Sequence, residues 1–176
     1  MSPPSLTRVV RGGLWLYLRD IANNLSGFIY WMAISTIGGI EIVGLTSSTV
    51  ALAHVVSSFL SLGEAAGLRG FVGVCKGRED KEGVANYFWS TTLFRIATFV
   101  PVGLVMIVLG LLGLSFGGLD GDMLFYAGVT VLLNLVLVFD DLLASHLDTK
   151  PIFIGAVVGN AVKLPLGIGL VLMGWG

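Results

Sequence analysis

The stretch WSTTLFRIATFVPVGLVMIVLGLLGL, residues 89–114, decides the fold class of this chain. It is 26 residues long, carries one charge, Arg95, and has no period-two alternation. A helix rises about 1.5 Å per residue, so this run exceeds the roughly 30 Å of hydrocarbon in a bilayer. Pro101 sits near its middle, where a missing backbone donor favours a kink. Four further stretches have comparable length and apolarity, at 22–40, 43–63, 123–145 and 152–173. The pattern predicts an all-α polytopic membrane protein of about five transmembrane helices, forming a single bundle over 1–176 with no soluble domain. An outer-membrane barrel needs alternating strands, which are absent here.

Composition agrees. Of 176 residues 55% are hydrophobic and 12% are charged, with a mean hydropathy of +0.92. Soluble domains carry about 25% charged residues, and disordered chains are more polar still. A net charge of −1 with no dense basic block argues against nucleic-acid binding. The single cysteine, Cys75, excludes an internal disulfide and a cysteine zinc cluster.

The N-terminus does not read as a cleavable signal, because Arg19, Asp20, Asn23 and Asn24 interrupt the apolar run that follows Arg8 and Arg11. Leu6 to Leu18 reads instead as an amphipathic lead-in continuous with the first span, with Trp15 and Tyr17 at interfacial depth. Arg8, Arg11, Arg19, Arg69, Lys76, Arg78, Lys81 and Lys150 fall on one side of the spans. The other side offers Glu41 in a Gly38–Gly44 turn, and Asp120 and Asp122 in the loop 115–122. The positive-inside rule then places the N-terminus in the cytoplasm and Gly176 outside, in a multi-pass cell-membrane protein. A polar connection from Glu64 to Asn86 links the second and third spans, with Asp80 placed to cap the third helix and Glu82 in its first turn.

Polar residues recur inside the spans at helical spacing. The first has Arg19, Asn23, Ser26 and Tyr30, and the second has Ser47, His54, Ser58 and Ser61. The third has Thr91, Arg95 and Thr98, the fourth Thr130, Asn134, Asp141 and Ser145, and the fifth Asn160 and Lys163. Ionisable groups at membrane depth are costly and usually face protein or a wet cavity. The collective expectation is one hydrated cavity open to the cytoplasm. Arg19, Asn23, His54, Arg95, Asn134 and Lys163 are its candidate lining, with Asp20, Asp140 and Asp141 as candidate ion-coupling carboxylates. Each has a plainer reading as well. Serine and threonine bond their own helix carbonyls, His54 can be a packed histidine, and Arg19 can snorkel or pair with Asp20. Arg95 and Lys163 need a carboxylate partner, with Asp140 and Asp141 nearest in depth, or an anionic ligand. Gly63-xxx-Gly67 and Gly155-xxx-Gly159 permit close helix approach.

Catalytic motifs are missing. Gly73-Val-Cys-Lys76-Gly77 lacks P-loop spacing, and His54 and His146 stand outside any zinc pattern. Neither a metal nor a cofactor is expected. The one enzyme-like feature, Asp140-Asp141 with Asp148, loosely suggests the aspartate motifs of membrane prenyltransferases, which come as two tighter clusters.

The segment from Gly38 to about Thr92 resembles the oligosaccharide/polysaccharide flippases of the MOP exporter superfamily, to which the MATE drug exporters also belong. The residues that carry this are Gly38-Gly39-Ile40-Glu41-Ile42-Val43-Gly44-Leu45, Leu62-Gly63, Arg69-Gly70-Phe71-Val72-Gly73 and Gly77-Arg78-Glu79-Asp80-Lys81-Glu82. The resemblance implies most of one helical bundle of a MATE-like fold. It also implies alternating access around a cavity that moves a lipid-linked oligosaccharide, with Arg19, Arg95 and Lys163 as cations for its anionic headgroup. Complete members have two related halves. This chain is therefore expected to be a fragment, a truncated frame, or a part that works with a second half or in a homo-oligomer. A cation-coupled drug exporter is the alternative within that fold, and an inert membrane scaffold is the alternative outside it.

Overall fold

The computed structural model describes residues 6–115, 119–146 and 148–173. The closing Gly174-Trp175-Gly176 and part of the loop 115–122 lie outside the described residues, as does the Arg8 side chain. The elements are helices: α1 (Leu6–Ile37), α2 (Gly39–Ser61), α3 (Glu64–Gly77), α4 (Lys81–Leu111), α5 (Gly121–Leu133), a 3-10 turn (Asn134–Val136), α6 (Leu137–Ser145) and α7 (Lys150–Leu172). Four segments are long and apolar enough to cross a membrane: Gly39–Ser61, Lys81–Leu111, Gly121–Ser145 and Lys150–Leu172.

The expected first span, 22–40, is not among those four. It lies in α1, a continuous 32-residue helix that includes the lead-in, and Asp20, Asn23, Asn24 and Ser26 thin its apolar content. The Gly38–Gly44 turn is shorter than the sequence suggests. α1 breaks at Gly38, and α2 starts at Gly39, whose φ of 72° is open to glycine at little cost.

The polar connection from Glu64 also differs. Its first half is a 14-residue helix, α3, that buries Leu68, Val72 and Cys75. These recur at four and three residues, so the stripe is helical although glycines at 67, 70, 73 and 77 suggest a loop. Asp80 caps α4 as expected: its side chain accepts from the Gly83 N–H at 2.8 Å, and Glu82 occupies the first turn. α4 runs on through Pro101.

By their packing the helices group into two compact units, Met1–Gly44 with His146–Gly176, and Leu45–Ser145. In the first, α1 lies against α7. Thr149 meets Gly12, Phe153 meets Trp15, and Asn160 meets Asn23. Positions rise together on both helices, so α1 and α7 are parallel, and α1 covers the same depth as α7 nearly residue for residue.

The second unit has two cores. Ala53, Phe99, Met106, Leu124, Ala127 and Val131 join α2, α4 and α5, while Leu68, Val72 and Val138 join α3 to α6. Close approach comes from glycines other than the expected pairs. A Cβ on Gly63, Gly67, Gly155 or Gly159 would meet nothing within 4 Å. On Gly103 it would lie 2.6 Å from Leu132, on Gly110 2.7 Å from the Gly121 carbonyl, and on Gly128 2.8 Å from the Gly103 carbonyl. Gly103 and Gly110 on α4 therefore face Gly128 and Gly121 on α5, each pair seven residues apart, in an antiparallel seam.

The burial pattern suits a bilayer rather than water. Large apolar side chains such as Phe59 (75% exposed) and Leu111 (72%) face outward, whereas Arg95 and Asp141 are each 5% exposed.

Candidate functional site

Two polar constellations emerge, one in each unit. In Leu45–Ser145, Glu64 and Arg69 come from α3, Arg95 from α4 and Asp141 from α6. Asp141 accepts from two guanidiniums, one per oxygen: Arg69 Nη2 reaches Oδ1 at 2.5 Å and Arg95 Nη2 reaches Oδ2 at 2.9 Å. Arg95 Nε also donates to Glu64 Oε1. Two cations and two anions balance, and the Glu64, Arg95 and Asp141 side chains are 6–10% exposed, against 55% for Arg69. Charge neutrality inside the cluster is what makes burial at this depth tolerable. Glu64 Oε2 and Arg95 Nη1 are buried without a partner among the described residues.

Of the two ways to satisfy Arg95, the structure takes carboxylate pairing, and Asp141 is one of the candidate partners. Glu64 is not among the sequence-predicted candidates, because its segment reads as a loop. The helical recurrence of Glu64, Leu68, Val72 and Cys75 is the signal that places it on α3 facing the protein. Asp140, next to Asp141, is half-buried.

In the α1–α7 unit, Asn160 Nδ2 donates to Asn23 Oδ1 at 2.8 Å. One turn further on, Lys163 Nζ lies 5.6 Å from the centre of the Tyr30 ring, a cation–π distance. Gly167 lets that ring lie close, since a Cβ there would stand 2.6 Å from it. The stripe anticipated on the first span thus meets the one on the last. Arg19 does not join it and pairs with its neighbour Asp20 at 2.7 Å.

The remaining candidates fall elsewhere. Asn134, which opens the 3-10 turn, donates to Ser57 Oγ of α2 at 2.8 Å, and His54 is exposed on α2. Thr92, Thr98 and Thr130 return their hydroxyls to carbonyls one turn back, the plainer of the two readings. Among the described residues no three His, Cys, Asp or Glu side chains are grouped to hold a metal ion.

Compared with protein-family models, with curated proteins and with solved structures, the chain matches none.

Proposed function

We propose that this chain is part of a membrane transporter that moves a lipid-linked oligosaccharide by alternating access. The α1–α7 stripe would face the headgroup path, and a second half or another copy would complete the bundle. The family resemblance supplies the class, and one observation carries the assignment of the path. Lys163 is exposed on α7 thirteen residues past its start, about 20 Å along the helix axis, with no carboxylate paired to it among the described residues. An ammonium facing hydrocarbon there is costly, so water or an anionic group must meet it. Asn23 and Asn160, both polar at the same depth, extend that surface toward the start of α7. The pyrophosphate of a lipid-linked sugar has the matching charge.

The cluster around Arg95 supports this division of labour. With Glu64 and Asp141 already neutralising it, Arg95 holds helices together, and the headgroup role passes to Lys163. A drug exporter that coupled through Asp141 would have to displace two guanidiniums, and one that coupled through Asp20 would have to displace Arg19, which leaves half-buried Asp140 as the carboxylate for that alternative. The test is Lys163→Ala against Lys163→Arg in cells that carry whatever completes the transporter, with delivery of the lipid-linked sugar to the outer leaflet measured. Lys163→Ala should abolish or strongly reduce export, and Lys163→Arg should retain much of it. Normal export by Lys163→Ala at normal protein level would end the proposal.

A further inference from the structure

A second feature of the α1–α7 unit does not depend on transport. At the end where α7 begins lies a cavity of about 290 Å³, lined by Arg11, Gly12 and Trp15 of α1 and by His146, Asp148, Thr149 and Lys150. Local bonding explains why its two cations converge. Thr149, 3% exposed, donates its hydroxyl to the Gly12 carbonyl at 2.9 Å. Trp15 packs against Phe153 with ring centres 5.1 Å apart. Arg11 precedes Gly12 and Lys150 follows Thr149, so this clasp fixes both cations on the wall of one cavity.

Because the Thr149 hydroxyl is spent on Gly12, it makes no cap bond to the first turn of α7. Pro151 has no N–H, and the Phe153 N–H is bonded to the Thr149 carbonyl. The opening turn of α7 therefore adds the positive end of a helix dipole to a wall that already carries a guanidinium and an ammonium. Asp148 is the one carboxylate on the wall, an acceptor for a hydroxyl beside the anion. The volume is at the lower end for small-molecule sites, about 300–1,000 Å³, large enough for one phosphodiester headgroup. Trp15 belongs to the aromatic class that settles at headgroup depth.

We infer that this cavity binds a phosphate-bearing anion through Arg11, Lys150 and the start of α7, its source being either the headgroup of an anionic membrane lipid or a free phosphate compound. The purified full chain in a neutral detergent is titrated with dihexanoyl phosphatidylglycerol, with dihexanoylglycerol, which has the chains but no phosphate, and with inorganic phosphate. Binding is followed by Trp fluorescence and thermal shift. Phosphatidylglycerol should bind saturably and dihexanoylglycerol should not. The double variant Arg11→Gln/Lys150→Gln should weaken binding by about tenfold or more, since two charge-assisted contacts are lost. Arg11→Lys/Lys150→Arg should bind nearly as the parent does, which separates lost charge from a misfolded site. Arg78→Gln/Lys81→Gln, with exposed cations of the other unit, should bind unchanged. Displacement of phosphatidylglycerol by an equal concentration of inorganic phosphate assigns the site to a free anion, and persistence under excess phosphate assigns it to lipid. Either result supports phosphate chemistry. Equal binding of dihexanoylglycerol, or undiminished affinity in the Gln/Gln variant, overturns the inference.

Discussion

Asp141 receives a guanidinium on each oxygen, and the two donors differ in surroundings: Arg95 is enclosed, whereas more than half of the Arg69 side chain is exposed. Removing a buried partner leaves the opposite charge uncompensated in low dielectric, at a cost of about 3–5 kcal/mol. Arg95→Ala strands Glu64 and leaves Asp141 only the solvent-shared Arg69, so it should lower stability by that order in thermal unfolding of the purified protein. Asp141→Ala, which leaves Arg95 its bond to Glu64, should cost less. Arg69→Ala removes a contact already shared with solvent and should cost less than about 1 kcal/mol. Similar losses for Arg69→Ala and Arg95→Ala would contradict this ordering. The sequence makes half of this cluster legible. Arg95 and the Asp140–Asp141 pair are deep, opposite in charge and matched in depth, so a carboxylate partner is legible as one of two ways to satisfy Arg95. The choice of Asp141 over Asp140 or an anionic ligand depends on the packing of α6. Glu64 was hidden because whether a glycine-rich segment is helical depends on α4 and α6, which lie far along the chain.

Helix seams obey the same distinction between local and distant causes. The Asp80 cap involves residues three apart, so its chemistry is visible in the sequence and recurs in the fold. Close approach is a property of pairs of helices. Gly63-xxx-Gly67 and Gly155-xxx-Gly159 have suitable spacing yet open surroundings, while the α4–α5 contact uses Gly103 and Gly110 against Gly128 and Gly121. Seven-residue spacing, repeated on two consecutive apolar helices with a short connection, is the sequence sign of that seam. A side chain at Gly110 must displace the backbone of α5, because the nearest atoms are the Phe125 nitrogen and the Gly121 carbonyl. Gly110→Val and Gly128→Val should each destabilise the unit by about 1–3 kcal/mol or more through overpacking. Gly159→Ala, in open space within a helix, should be neutral or stabilising by about 0.5–1 kcal/mol, because alanine loses less backbone entropy. Melting temperatures of the three variants in one detergent separate these outcomes, and equal effects at Gly110 and Gly159 would remove the seam.

At the scale of the molecule, large apolar side chains face outward while Arg95 and Asp141 are enclosed, and the membrane character behind that pattern is legible from composition before any fold is known. Division into two units is not, since it depends on which stripes find each other. Orientation is the global property with the most direct physical argument. α4 has 31 residues, about 46 Å of helix, so its two ends must emerge on opposite sides of a hydrocarbon layer of about 30 Å. Lys76, Arg78 and Lys81 stand at its start, and Asp120 and Asp122 lie beyond its end. Lys and Arg resist transfer across the membrane, so the start of α4 is expected in the cytoplasm. The buried Cys75, replaced by serine, leaves a background in which one cysteine can be placed at either end without removing a positive charge. Glu82→Cys should react with a membrane-impermeant maleimide only after cells are lysed, and Asp122→Cys should react in intact cells. Exchanging Lys76, Arg78 and Lys81 for glutamine should erode that difference, because the bias comes from those charges. Labelling of Glu82→Cys in intact cells, with Asp122→Cys protected, would reverse the orientation.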